Sequence, residues 1–325
     1  MNAPRSIDGL LVQWGDRLFY PGNRRTSAGP GGARSVGLNE RSARIRARIA
    51  ATVARRAPQV MVKVTGGGRG MGAIAAHLRY IGKGGRLPFE DDRGVVRDGK
   101  EALHDLAEQW RRGGTRIPEH SERREAFNIM LSMPAGTNSE IVRNAAREFA
   151  QVELAGHRYV MVLHTHQANP HVHLSVRAEG RGGRRLNPRK EDLRRWREVF
   201  AEKLRGWGIE AEASSRITRG SRHRNERLGQ RKAREQGRGL QPGLGEGMKL
   251  TPARRQAAVA WCEIAKALAS SDDPADRRLG QSVVDFARWL PGVRYKPPEK
   301  QPQRELPGLE RTMPQKTRPD PGWDR

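Results

Sequence analysis

The stretch LHTHQANPHVHL, residues 163–174, holds four of the chain's nine histidines: His164, His166, His171 and His173. Side chains alternate faces along a β-strand, so His164 and His166 share one face, as do His171 and His173. Leu163, Val172 and Leu174 fill the alternate positions, the pattern of a half-buried strand and not of a His-rich tail. A hairpin closed by Gln167, Ala168, Asn169 and Pro170 is predicted to pair His166 with His171 and His164 with His173. Opposed residues in such a ladder have Cβ atoms roughly 4.5–5.5 Å apart, near enough for imidazoles to converge on one divalent cation and leave positions open for a substrate oxygen. The plainer alternative is a row of surface histidines on an exposed strand.

Tyrosine is scarce, occurring only as Tyr20, Tyr80, Tyr159 and Tyr295. A phenol can attack phosphorus once a metal or a neighbouring base offsets its pKa of about 10, and it is left as a covalent phosphotyrosine. Tyr20 and Tyr295 fall in the ends of the chain and Tyr159 enters an apolar strand, which leaves Tyr80, flanked by Arg79, Gly82 and Lys83, as the tyrosine to consider. Taken without a motif around it, it reads as a helix aromatic packed on a sheet. The glycines between Gly66 and Gly72 are not followed by the Lys-Ser or Lys-Thr of a nucleotide-binding loop, which argues against ATP chemistry. They suit either a plain turn or a close approach of backbone to phosphate.

The elements that must position these groups are readable in outline. Val60–Val64 reads as a strand running into the glycines; Ile74, Leu78 and Ile81 recur at helical spacing; a second helix is predicted from about Gly99 to Arg111. Phe127–Ser132 reads as a strand stopped by Pro134 and Gly136, and Asn138 can cap a helix reaching Val152. The two histidine strands, about Tyr159–His166 and His171–Val176, are followed by a helix over Pro188–Trp207. This mixture predicts an α+β fold, a palm-like antiparallel sheet with helices on one face. The expected organisation is an N-terminal extension, 1–57, partly disordered; a nuclease domain, 58–222; a basic linker or arm, 223–247; a small helical segment, 248–292; and a disordered tail, 293–325. Residues beyond Gln241 are expected to be dispensable for catalysis. An apolar cluster in the extension, Leu10, Leu11, Trp14, Leu18, Phe19 and Tyr20, is expected to dock on the chain itself or on a partner.

Sixty-two Lys and Arg against 36 Asp and Glu give a formal charge of +26, which makes a polyanion the first partner to consider. From Arg216 to Arg238 nine basic residues stand against two acidic ones with little that is apolar, so that stretch cannot be core. The single cysteine, Cys262, excludes an intramolecular disulfide and a cysteine-based zinc or iron–sulfur site. With no apolar signal-like start and no membrane-length apolar run, a soluble cytoplasmic protein without membrane insertion is expected.

PHVHLSV, residues 170–176, resembles the histidine-hydrophobic-histidine motif of the HUH endonucleases, with His164 standing where that superfamily's relaxases keep a third ligand. LSMPAGT, residues 131–137, and VKVTGGGRG followed by HLRYIGKGG, within 62–85, resemble the second and first motifs of the MobP-type conjugative relaxases that include the T-DNA border nucleases. The three motifs occur in the family's order, and the resemblance covers about Gln59 to Arg222. It implies that His164, His171 and His173 hold Mg²⁺ or Mn²⁺ and that Tyr80 nicks one DNA strand at a transfer origin. A 5′-phosphotyrosyl bond results, which the same site later reseals. It further implies single-stranded origin DNA, relaxosome accessory proteins and a type IV coupling protein as partners, with passage of the protein alongside the strand into a recipient cell. Ser132 is implied as a contact to the DNA backbone, while Lys63, Arg69, Arg177, Arg184, Arg185, Arg189 and Lys190 are expected to track phosphates. One position departs from the pattern: His166 stands where these relaxases usually carry an acidic residue. It is a candidate to bind phosphate, to accept the tyrosine proton or to act as a fourth ligand, with a passive place beside the ligands as the alternative. The competing functions are a non-catalytic basic DNA-binding protein and a rolling-circle replication initiator.

Overall fold

The computed structural model describes residues 6–20, 37–220 and 251–290. Most of the basic stretch after Arg216, and all of the tail after Leu290, lie outside the described residues.

The centre is an antiparallel sheet of six strands in the order β1-β4-β6-β5-β2-β3. They are β1 (Met61–Gly68), β2 (Phe89–Asp91), β3 (Val96–Arg97), β4 (Ala126–Ser132), β5 (His157–His164) and β6 (His171–Gly180). Period-two alternation divides their side chains between two layers. Val62, Ile129, Leu131, Met161, Val172 and Leu174 point to one face, where α5 (Ser139–Glu153) and α6 (Lys190–Gly206) cover them with Val142, Phe149, Trp196, Phe200 and Leu204. Fully burying a side chain of this size contributes roughly 1.5–3 kcal/mol, so this layer is the main source of stability. Asn138 opens α5 as expected, its side chain accepting from the backbone N–H of Glu140 at 2.9 Å and Ile141 at 3.2 Å.

Val160 and Val162 point the other way and meet α3 (Met71–Ile81) and α4 (Lys100–Arg112) through Ile74, Leu78, Leu103, Leu106 and Trp110. The α+β class and the antiparallel palm therefore stand, but helices lie on both faces and not on one. The reason is local. Burial of Met71, Ile74, Leu78 and Ile81 gives α3 an apolar stripe, and the second face of the sheet takes it, with Phe89, Ala126, Val160 and Val162 in the same core. The glycine run is part of β1: Gly66, Gly67 and Gly68 pair with Asn128, Phe127 and Ala126. Gly70, at φ 110°, brings its Cα against the Glu119 carbonyl, where a Cβ would stand 2.2 Å from the oxygen. That glycine serves the chain's own close packing.

A second core joins the two ends of the described chain. α1 (Ile7–Phe19), α2 (Leu38–Val53), α7 (Pro252–Ala269) and α8 (Pro274–Ala287) bury Leu11, Leu18, Ile45, Ile49, Trp261, Ile264, Leu268 and Val283 together. The N-terminal apolar cluster thus docks on the chain's own C-terminal helices. Removal of everything after Gln241 would strip α1 and α2 of half their core, so those residues are not structurally dispensable. Arg48 ties this bundle to the sheet layer by pairing with Glu212 at 2.7 Å and Glu198 at 3.0 Å. Thr218 adds a second tie: its Oγ1 donates to the Leu18 carbonyl at 2.8 Å, and its own carbonyl accepts from Trp261 Nε1 at 2.7 Å.

Arg46 clamps the bundle from within, reaching Asp8 on α1 at 2.7 Å and Asp276 on α8 at 2.8 Å. Asp276 is only 4% exposed, so Arg46→Ala would leave a buried carboxylate without its main partner. The expected loss is about 2–3 kcal/mol, read as a lower denaturant midpoint with detachment of α1 detected by limited proteolysis.

Candidate active site

β5 and β6 carry the histidines, but their register differs from the expected one. His164 faces His171, Leu163 faces Val172, and Val162 faces His173. His166 therefore has no ladder partner and lies beyond the end of β5. The expected four-residue turn is too short because Pro170 has no N–H to give the ladder and its carbonyl turns toward β4, accepting from the Met133 N–H at 3.1 Å. Pairing begins only at His171, which leaves residues 165–170 as the connection.

The shift gathers the three expected ligands. One ring nitrogen from each of His164, His171 and His173 lies within 4.8 Å of the others, and all three residues are buried. Each ring is held by a different part of the fold. His164 Nε2 lies 2.6 Å from the Ile81 carbonyl at the end of α3, and His171 Nδ1 lies 2.9 Å from the Asn169 carbonyl. Among the described residues no hydrogen bond reaches the second nitrogen of either ring. His173 Nδ1 is buried with no hydrogen-bond partner among the described residues. An orphaned nitrogen beside two anchored imidazoles fits a cation that would complete the set. Electrostatics agree, since a ligand imidazole must be neutral. Burial, and then the neighbouring His164 and His171, push His173 down to about 3, and burial lowers His164 as well.

This makes a testable statement about pH. If His173 ionises at about 3 in the fold and at the ordinary 6.5 in the unfolded chain, the unfolded chain binds more protons between those values, and stability rises with pH across that window. Urea midpoints of metal-free protein should fall as pH is lowered from 6.5 toward 3. His173→Gln should make that dependence shallower.

Tyr80 stands beside this cluster. Its ring is 70% exposed, with its centroid 6.5 Å from that of His173 in an edge-on arrangement. Tyr80 immediately precedes Ile81, whose carbonyl holds His164, so one turn of α3 fixes both the phenol and a ligand histidine. The other imidazole against Tyr80 is His77, 6.2 Å away and nearly parallel, which also lies 6.5 Å from His173. His166 sits elsewhere on the rim, exposed, 5.1 Å from His164 and 6.2 Å from His171. Slight desolvation and then the charge of Lys83 lower its pKa.

His77 and Lys83 were not singled out in the sequence as site residues, although both lie in HLRYIGKGG. Spacing carried a signal for His77, because residues three apart share a helix face. Lys83, named in the sequence only as a neighbour of Tyr80, has φ +48°, a left-handed conformation that side chains rarely take, and, after desolvation, its charge also lowers the pKa of His164 and of His166.

Residues 90–209 match the family model of the relaxase MobA/VirD2-like nuclease domain. The chain carries a relaxase nuclease domain. No curated protein matches the chain. A relaxase domain is a DNA-nicking nuclease and transesterase that binds single-stranded DNA, and its family typically uses a divalent metal. All three clustered histidines fall inside the matched relaxase segment, while Tyr80 and the glycines lie just upstream of it. Among the described residues no helix is long and apolar enough to cross a membrane.

The residues expected to meet DNA are dispersed. Lys63 is exposed on β1, in one cross-strand row with Met130, His173 and Val162, and on the face that carries the histidines. Ser132 shares a row with His171 and His164, but it is buried and its hydroxyl donates to the Pro170 carbonyl at 3.3 Å. Arg177 is corrected outright as a phosphate-tracking residue. It is 4% exposed and its guanidinium is consumed by the carbonyls of Trp110, Gly113 and Thr115. Six residues along β6 separate Arg177 from His171, about 20 Å, and Arg184 and Arg185 follow beyond that far end. Arg185 pairs there with Glu125 at 3.2 Å. Arg69 is exposed at the loop before α3, and Arg189 and Lys190 open α6 on the opposite layer.

Proposed function

We propose that this relaxase nicks one strand of DNA at a plasmid or integrative-element transfer origin with Tyr80 as nucleophile. The observation that carries the reading is the exposed Tyr80 ring set edge-on to His173 of a buried three-histidine cluster. The phenolic oxygen forms a bond to phosphorus as the bond to the 3′ oxygen breaks, leaving a 5′-phosphotyrosyl link and a free 3′-OH. A divalent cation held by His164, His171 and His173, Mg²⁺ or Mn²⁺, would supply the positive charge that polarises the scissile phosphate. His77, its ring centroid 6.2 Å from that of Tyr80, is the neighbouring imidazole on the helix that carries the phenol. His166 lies at the rim within reach of the charge of Lys83, and it is the candidate to accept the phenolic proton. The bond energy is approximately conserved, so a 3′-OH brought to the same site can reverse the step and reseal the strand.

The reading extends to relaxosome accessory proteins and a type IV coupling protein as partners, and to travel with the strand. Its support is the charge of +26 and the relaxase domain. The test is incubation with a labelled single strand spanning the transfer origin and Mg²⁺, followed by denaturing electrophoresis. A denaturation-resistant adduct is expected, and DNA binding without any adduct would leave only a non-catalytic binding protein.

A further inference from the structure

α3 crosses the histidine face of the sheet obliquely, from Gly68 at the end of β1, where a Cβ would meet Ile74, to the Ile81 carbonyl against His164 on β5. Along β5, α3 and α4 bury Val160 and Val162. On the β1 side of α3 the same face is left open: Met61 and Lys63 are exposed, and Met130 and Asn128 on β4 are half-buried. Cross-strand rows join this open corner to the site. Lys63 and Met130 share a row with His173, and Met61 shares one with Ser132, His171 and His164. His77 and Tyr80, whose rings both stand 6.5 Å from that of His173, border the corner on the α3 side.

Asn128 holds unspent hydrogen-bonding capacity in this corner. Its backbone is engaged: it pairs with Gly66 on one side and Ser175 on the other, and its carbonyl accepts from Thr65 Oγ1 at 3.2 Å. Its carboxamide makes no hydrogen bond among the described residues, yet it is not closed off from solvent. A polar group at the middle of a sheet normally finds a partner, and the neighbours here supply none. Gly66 has no side chain, and a Cβ there would touch Asn128 Nδ2 at 3.8 Å, so the glycine keeps that side of the amide open. The hydroxyl of Ser175 is itself buried and unpartnered, and Met130 is apolar. A carboxamide offers a donor beside an acceptor, the set that pairs with a base edge carrying an amino donor beside a ring-nitrogen acceptor. The soft thioether of Met130 suits the flat face of that base. Diagonal neighbours on an antiparallel pair stand roughly 7–8 Å apart, which sets Asn128 that far from His173. At about 3.4 Å per nucleotide along one strand, the interval is about two nucleotides.

We propose that Asn128 is a specificity-determining residue of this relaxase. A base of the nicked strand lies against Met130 in the corner between β1 and α3, and the Asn128 carboxamide accepts from its amino group and donates to its ring nitrogen. Adenine and cytosine carry that edge; guanine and thymine do not. The base read in this way lies within about two nucleotides of the scissile phosphate. The inference rests on the reading of the chain as a relaxase that nicks single-stranded DNA.

The test uses the full-length protein and a pool of single-stranded DNA with a randomised central segment, selected for binding without metal and sequenced. Wild-type protein should enrich adenine or cytosine at one position by roughly tenfold or more over the other bases. Asn128→Ala should lose the preference at that position alone, with its affinity for the unselected pool within about twofold of wild type. Asn128→Asp keeps the shape of the side chain and serves if the alanine variant does not fold; lacking the amide donor, it should weaken the same position. Met130→Leu keeps an apolar floor and should preserve the preference. A consensus identical in wild type, Asn128→Ala and Asn128→Asp overturns the proposal, as does a wild-type preference for guanine or thymine at the affected position or no preference at all. Covalent adduct formation on the selected strands with Mg²⁺ is scored in parallel. A normal adduct with a consensus unmoved by Asn128→Ala rejects the base reader and leaves the nicking reaction standing. A lost position in Asn128→Ala with no adduct from wild-type protein supports the reader and rejects the nicking reaction.

Discussion

Tyr80→Phe is expected to abolish the covalent protein–DNA adduct while leaving the fold, bound metal and single-strand affinity close to wild type. The substitution removes one oxygen from a ring that is 70% exposed, and the hydroxyl has no hydrogen-bond partner among the described residues, so stability should change by no more than about 0.5 kcal/mol. The packing of the ring against His77 and His173 is retained because the ring is retained. Loss of a nucleophile acts on the transition state alone, and the expected fall in adduct formation is at least roughly a thousandfold. Tyr159→Phe is the control. Tyr159 is 5% exposed in the core layer against α5 and α6, where burial raises its pKa to about 12, so its phenol is neither reachable nor easily ionised. A 5′-linked adduct persisting in Tyr80→Phe would refute the nucleophile assignment without touching the domain's family.

Much of this site was legible before the structure because its signals are short-range. Alternation around Leu163, Val172 and Leu174 put the histidines on strands, and the motif around PHVHLSV named the three residues that cluster. Asn138 announced the start of α5, and the spacing of Ile74, Leu78 and Ile81 announced α3. What escaped was set by contacts distant in sequence. The register of the hairpin depends on Pro170 turning its carbonyl to β4, so His166 was placed in the ladder when it lies at the rim. Arg177 looks like any basic residue on a strand until three carbonyls from the end of α4 and the turn after it close around its guanidinium. The short strands β2 and β3 carry too few residues for a period to show. The shared core of α1, α2, α7 and α8 joins residues more than two hundred positions apart, and no local pattern says which apolar stripe meets which.

The histidine cluster makes the second strong expectation: the double substitution His171→Ala, His173→Ala should lose bound metal and nicking together. His164 would then be the only member of the cluster left, and a single imidazole already bonded to the Ile81 carbonyl cannot hold a divalent cation at useful concentration. Metal affinity should fall by well over about a hundredfold, more than the 10–100-fold typical of losing a group that merely supports a ligand. A readout independent of activity is available, because a ligand that binds only the folded state stabilises it by about 2.7 kcal/mol at a hundred times its Kd. Wild-type protein should gain melting temperature on titration with Mn²⁺, and the double variant should not. His166→Ala gives the contrast. That ring is exposed and lies outside the group whose ligand atoms sit within 4.8 Å of one another, so most of the Mn²⁺ stabilisation should survive its loss even where nicking slows. Undiminished Mn²⁺ stabilisation of the double variant would place the cation elsewhere. Equal losses in His166→Ala and in the double variant would instead make His166 a fourth ligand, drawn in from the rim when the cation binds.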